Sequence, residues 1–444
     1  MSNSQLSKTL TPLMLWGLGV GYVISGMYFG WNLGLAEGGT LGLAIATFFI
    51  IIMYVTFTLS YTELSCAIPK AGGAFEYAHK GLGKHFGFIG GMAQNIEFIF
   101  APPAIAAAIG AYLHLLYPDI DVIYFSMGAY FIFTGINIFG VQLAASFELI
   151  ITVLAVLELL LFAGFTLPHF EYENLQLNAL PFGYKGIFAA IPFAIWFFLA
   201  IEGIANVAEE TKNPKRSIYL GFGSAIATLV FLCILTFLSA VGVGGWEKVV
   251  YPSGSTVASD SPLPLALGQV VNEGHLLYKL LIGIGLLGLI ASFHGIILAA
   301  GRSTFEFGRV GYAPKQLGKV HSKFKTPMNA LLINMCIGIV ALFTGKTGEI
   351  ITIACFGALT LYIISMLSLF ALRKSKPELE RSYKVPWYPI TPAIALIIAT
   401  VSLLAMTYYN LVLAGIFIAI LGGSYLLFIL SQKEYHNEEI GELG

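Results

Sequence analysis

Twelve runs of apolar residues, each about long enough to cross a bilayer as a helix, follow one another along this chain of 444 residues. A span needs about 20 such residues. On that rule the runs are 12–35, 40–66, 86–116, 122–141, 144–167, 186–208, 217–243, 276–300, 328–344, 348–372, 390–409 and 411–430. In hydrocarbon every backbone N–H and C=O must find its partner within the protein, and helices achieve this segment by segment. The spacing therefore predicts an all-α polytopic membrane protein of twelve transmembrane helices, with the lipid bilayer as its first partner. Charged residues make up 11% of the chain, against about 25% in soluble domains, which excludes an ordinary soluble fold.

Loop charge orients the spans. With the N-terminus inside, only Lys185, Lys248, Lys279 and Lys346 of the 23 Lys and Arg fall on the outer side, and the other nineteen fall inside. This predicts cytoplasmic N- and C-termini and a multi-pass protein of the cell inner membrane. Segment 1–11 reads as a cytoplasmic tail without a cleaved leader, and 431–444, polar and acidic, as a second, disordered tail. The basic run 373–376 reads as an orientation signal, and the glycine-rich loop 68–77 as a segment that folds back against the mouth. A net charge of −1 gives no footing for a nucleic-acid partner.

Cys66, Cys233, Cys336 and Cys355 fall in or beside apolar runs and read as small core residues, not as a disulfide set. No Gly-x-x-x-x-Gly-Lys is present to cradle a phosphate, and no His/Cys cluster has metal-ligand spacing. No cofactor is expected. No span holds a nucleophile–base pair, which argues against an enzyme, and no soluble output domain supports a receptor.

Two of the runs are interrupted. The first carries Gly17, Gly19 and Gly21, then Ser25-Gly26-Met27-Tyr28-Phe29-Gly30; the sixth carries Trp196-Phe197-Phe198-Leu199-Ala200-Ile201-Glu202-Gly203. A charge at a bilayer centre costs roughly 3 kcal/mol or more, and a glycine beside it loosens the backbone. Interrupted helices in corresponding places of two halves point to a transporter's binding site. Glu202 reads as a counter-charge for a cationic amine or as a proton carrier, against the alternative of a structural carboxylate capped by backbone amides. Tyr22, Tyr28, Phe29, Trp31, Trp196, Phe197 and Phe198 surround the two breaks. An ammonium over an aromatic face gains about 0.5–2 kcal/mol, although aromatic residues also fill any apolar helix. Glu97 and His294 are further deep polar groups, and Pro102-Pro103 is expected to loosen the helix beyond Glu97. His294 is a candidate proton relay, against the alternative of a satisfied core histidine.

Three stretches carry a family likeness. Glu209-Glu210-Thr211-Lys212-Asn213-Pro214-Lys215-Arg216 follows the sixth run, and Glu63-Leu64-Ser65-Cys66-Ala67-Ile68-Pro69-Lys70-Ala71-Gly72-Gly73-Ala74-Phe75 follows the second. Gly301-Arg302-Ser303, Gly311-Tyr312-Ala313-Pro314 and Lys325-Thr326-Pro327 follow the eighth. Together they resemble the signatures of the amino acid–polyamine–organocation transporter superfamily. Within it, Gly21-Tyr22-Val23-Ile24-Ser25-Gly26-Met27-Tyr28-Phe29-Gly30-Trp31-Asn32 and the stretch from Trp196 to Gly203 look most like bacterial ethanolamine permeases.

The resemblance implies two inverted five-helix repeats, 12–167 and 186–372, with two extra helices in 390–430. It puts Glu202 at the substrate site, Trp196 at a gating or stacking position, and Glu97 and His294 on spans flanking the breaks. Many relatives carry Gly-Ser-Gly in span one, where freed amides hold a substrate carboxylate. Here the register reads Ile24-Ser25-Gly26, which favours a substrate without one. Proton-coupled relatives often carry a lysine in span five. Here 144–167 holds no Lys or Arg, and Glu158 lies in that region instead, a candidate proton or cation site. Glu63 is expected to be structural.

The expected function is a secondary transporter that imports a small organic amine, ethanolamine, by alternating access, as a symporter with a proton or another cation. Tyr22, Ser25, Gly26, Phe29, Glu97, Trp196, Leu199 and Glu202 form the candidate substrate site; Glu158 and His294 are the candidate coupling residues. The alternative is an amino acid permease or exchanger of the same superfamily.

Overall fold

The computed structural model describes residues 9–70, 72–139 and 144–441. The start of the predicted N-terminal tail, Ala71, the link between spans four and five, and the last three residues lie outside them. Ten of the described helices are long and apolar enough to cross a membrane, and two shorter apolar helices, Pro12–Val23 and Met328–Leu342, complete the set. Each of the twelve predicted runs is therefore helical, in a polytopic all-α membrane architecture. The only β-type pairing among the described residues is an isolated bridge between Leu10 and Thr211.

Span one starts where Thr11 caps it, its hydroxyl accepting from the Met14 amide at 3.3 Å, with Pro12 in the first turn, where its missing N–H costs nothing. Helical geometry continues through Ile24 into Ser25–Tyr28. The chain opens at Phe29, which is extended, and at Gly30, where φ is 85°. The rest of span one and all of span two run as Trp31–Ala67, bent at Gly39. Span three, Lys84–Leu116, stays helical through Pro102 and Pro103, contrary to the expected loosening.

Span six is more strongly broken. Gly183–Ala189 and Ile191–Trp196 lead into a turn at 197–200, and Ile201–Glu210 then winds as a ten-residue 3₁₀ helix. Runs of that winding beyond three or four residues are uncommon and often mark a hinge. Every residue from Ile201 to Ala208 is buried.

Span three sits at the centre of the bundle, packed on span ten (Thr347–Ser375) and span eight (Leu276–Arg309). Phe131, Ile132, Phe139, Leu404, Leu426 and Leu427 face outward, as helices that meet lipid require. Cys336 is also exposed, so it is not the core residue expected, whereas the other three cysteines are buried.

The loop after span two folds back as predicted: helix Ala74–Leu82 lies on spans three and ten. Glu63 is structural. Its carboxylate takes two bonds of 2.7 Å from Arg373, one of 2.7 Å from the Val385 amide, and an ion pair at 3.2 Å with Arg381. Arg373, read above as an orientation signal only, thus pins the link between spans ten and eleven, and its guanidinium stacks 4.3 Å from the Tyr388 ring. The last helix runs from Leu411 to Gly441, where a disordered tail was expected from residue 431.

Candidate functional site

The two breaks touch backbone to backbone. A side chain at Gly26 would collide with the Trp196 carbonyl oxygen and come within 3.0 Å of Phe197 Cα. Only a residue without Cβ allows this approach. The aromatic residues gather around that contact. Phe29 meets Trp196 edge-on at 5.4 Å, Trp31 stacks on Phe197 at 5.7 Å, and Tyr54 leans on Phe198 at 5.2 Å.

Glu202 opens the 3₁₀ segment and is fully buried, with 0% exposure; so is Glu97 of span three. Gly357 of span ten brings span three close: a Cβ there would sit 2.9 Å from the Glu97 nitrogen. The two carboxyl groups lie within hydrogen-bonding reach of each other. Oε1 of Glu97 accepts from the Ala200 amide at 3.1 Å, and Oε2 of Glu202 accepts from the Tyr362 hydroxyl at 3.0 Å. Tyr54 lies 3.1 Å from that hydroxyl, completing a relay from span two through span ten to span six. Oε2 of Glu97, Oε1 of Glu202 and Nε1 of Trp196 have no partner among the described residues. Two ionised carboxylates only accept, so a bond between them requires a proton, and a group that bridges them must bring donors; a cationic donor also offsets their charge.

Ser25 and Gly26 occupy a helical turn instead of the opened stretch. The Ser25 hydroxyl pairs with that of Ser292 at 2.8 Å, and Ser292 donates to the Tyr22 carbonyl at 2.6 Å. The opened residues are Phe29 and Gly30, whose amide at Gly30 donates to Asn32 Oδ1 at 3.1 Å. Asn32 in turn donates to the Ser259 carbonyl at 2.7 Å, tying the break to the loop between spans seven and eight. Next in that loop, half-buried Asp260 accepts from the Thr347 hydroxyl at 2.9 Å, and burial pushes its carboxyl up to about 6.

The structure thus brings Phe29, Gly26, Trp196, Glu97 and Glu202 together, with Leu199 buried in the turn between Trp196 and Glu202. Tyr22 packs over Gly203, next to Glu202, and over Gly295. The two candidate coupling residues do not meet. Glu158 lines a cavity with room for about one water, beside Tyr28, Tyr112 and Phe162. His294 pairs with Glu148 of span five at 3.3 Å, beside Gly21 of span one.

Three participants escaped the sequence reading. Glu148 carried the same signal as Glu158, a carboxylate in an apolar run, and was passed over. Tyr54 and Tyr362 carried none, because hydroxylated aromatics are ordinary in such helices.

A family model described as amino acid permease matches residues 10–424. The chain is 26% identical to the methylthioribose transporter of Bacillus subtilis, across 97% of this chain and 95% of that one. It is 24% identical to the branched-chain amino acid permease BcaP of the same species, across 96% and 94%. It is 27% identical to the low-affinity putrescine importer PlaP of Escherichia coli, across 84% of each. The match starts just before the first span and ends inside the twelfth: the chain is a transporter and belongs to the amino acid permease family, within the amino acid–polyamine–organocation superfamily.

Proposed function

We propose that this transporter imports a small organic amine, ethanolamine, across the inner membrane by alternating access, with its ammonium held between Glu97 and Glu202. The observation that carries the reading is the pair of fully buried carboxyl groups in mutual contact, each with one oxygen that receives no donor. Among the described residues, the ionisable side chains that face the pair are Tyr54, Tyr61, Tyr362 and Cys355, none of them cationic. Such a site favours a cation and repels a carboxylate. Ser25 serves the substrate hydroxyl, and Phe29, Trp196 and Leu199 enclose the carbon chain. In this reading both termini are cytoplasmic and the units 12–167 and 186–372 are inverted repeats.

Transport of an amino acid is the second reading. It is favoured by the relatives, one of which is a branched-chain amino acid permease; the putrescine importer favours the first.

Uptake of labelled ethanolamine into proteoliposomes, with unlabelled alanine, leucine, putrescine and choline as competitors, decides between them. Saturable ethanolamine uptake that is lost in Glu202→Gln supports the amine reading. Uptake of alanine or leucine with ethanolamine inert sinks it.

A further inference from the structure

Resting on the amine reading above, we propose that the Glu97–Glu202 pair is a one-charge exchange site. The unloaded carrier holds a single proton shared between the two carboxyls, and the substrate ammonium takes that proton's place, so each amine bound expels one proton to the medium.

The inference starts from charge. Two carboxylates in contact, both fully buried, repel each other strongly where the surroundings screen little. The groups that face them offer no compensating cation. Span two presents Tyr54 and Tyr61, and span ten presents Tyr362 and Cys355. Span six itself adds the Trp196 ring and the Ala200 amide. The basic residue of the neighbourhood of span one, His294, is engaged by Glu148. Among the described residues no cation faces the carboxyls, so a positive charge between them is assigned to a proton or a cationic ligand from outside.

Geometry then makes the two alternatives exclusive. Glu97 Oε1 and Glu202 Oε2 are already occupied by the Ala200 amide and the Tyr362 hydroxyl. The remaining oxygens, Glu97 Oε2 and Glu202 Oε1, receive no donor among the described residues. A shared proton uses them, and so do two of the three N–H donors of a primary ammonium. The exchange balances: pair with proton plus RNH₃⁺ gives pair with RNH₃⁺ plus H⁺. The site carries the same charge before and after. A proton leaves as the amine enters, which makes the cycle an exchange at one site and removes the need for a separate symported cation at Glu158 or His294.

The test uses the full-length protein, purified in detergent micelles under weak buffering. Ethanolamine is added, proton release is read with a pH indicator dye, and Kd is measured by calorimetry from about pH 5 to about pH 8. Linkage predicts roughly one proton released per ethanolamine bound, and a Kd that tightens about tenfold per pH unit while the pair still holds its proton. Glu97→Gln and Glu202→Gln each leave a single carboxyl bonded by an amide, so residual binding is expected without proton release. Glu158→Gln is expected to release the proton as the parent does. Binding of ethanolamine with no proton release, or with proton uptake, overturns the exchange and leaves the amine reading standing. Absence of ethanolamine binding by the folded parent overturns the amine reading and the exchange with it. The parent's stoichiometry decides the matter even where a glutamine variant fails to fold.

Discussion

The main-chain amide of Ala200 donates to Oε1 of Glu97 across 3.1 Å, tying the turn of span six to the middle of span three. Ala200 has φ of 76°, a left-handed backbone that costs a residue with a Cβ roughly 1–2 kcal/mol. Glu97 thus helps hold a strained turn as well as facing Glu202. Ala200→Gly removes the strain and keeps the amide. The expected outcome is a small rise in melting temperature in detergent, corresponding to about 1 kcal/mol; a fall would show that the methyl group's packing outweighs the strain.

Tyr362→Phe deletes the donor to Glu202 Oε2 and leaves Tyr54 without its partner. The ammonium needs an ionised carboxylate, and that form loses a bond worth about 1–2 kcal/mol. Ethanolamine binding should weaken by about tenfold with the fold intact. An unchanged Kd would place Tyr362 outside the binding machinery.

Gly26→Ala puts a Cβ against backbone, 3.0 Å from Phe197 Cα and 3.2 Å from the Trp196 carbonyl carbon. Backbone cannot swing aside as a side chain does. Uptake should fall by at least about tenfold, roughly 1.4 kcal/mol, while the melting temperature falls only slightly. Normal uptake would mean that the two breaks separate freely.

Arg373→Ala removes two charge-assisted bonds of 2.7 Å from buried Glu63. Arg381 and the Val385 amide remain, so the loss should be about 2–3 kcal/mol, seen as a lowered melting temperature. Arg373→Lys should recover only part of it, because lysine lacks the planar fork.

Asp260 gives the pH dependence outside the membrane-spanning segments. Its carboxyl rises from the ordinary 3.8 to about 6 through burial, with the Thr347 hydroxyl opposing. The folded protein therefore keeps a proton that the unfolded chain has lost. The resulting stabilisation is full below about pH 4 and disappears as pH climbs through about 6. Melting temperature should decline across that window in the parent and less steeply in Asp260→Asn. Parallel curves would remove Asp260 from the account.

Span positions were legible because bilayer thickness dictates them, and Glu202 was legible because a carboxylate in an apolar run has few structural excuses. The opening of span one lies at the far end of the stretch named for it. Ser25-Gly26 looks like a break in sequence, yet a small-residue pair in a helix also serves close packing, and Gly26 does that against Trp196. The positive φ falls at Gly30 instead. Glu97 was named as a candidate, but its contact with Glu202 depends on how spans three and six pack, and no local pattern encodes it. Glu148 and His294 meet for the same reason. Arg373 shows another limit: a charge that orients a loop in the membrane can also bind a buried partner, and its position along the chain does not separate the two roles.

The ten residues from Ile201 to Glu210 are drawn out compared with ordinary helix. A 3₁₀ helix rises about 2.0 Å per residue and an α-helix about 1.5 Å, so this stretch is longer by about 5 Å, close to one α-helical turn. It has Glu202 near one end and Glu210 at the other, and Glu210 grips Arg302 of span eight at 2.7 Å. Rewinding it would haul those two ends together like a shortened cord. The distance between the buried carboxylate and the distal clasp is thus set by winding, and a movement at either end must be taken up at the other or by a change of pitch between them.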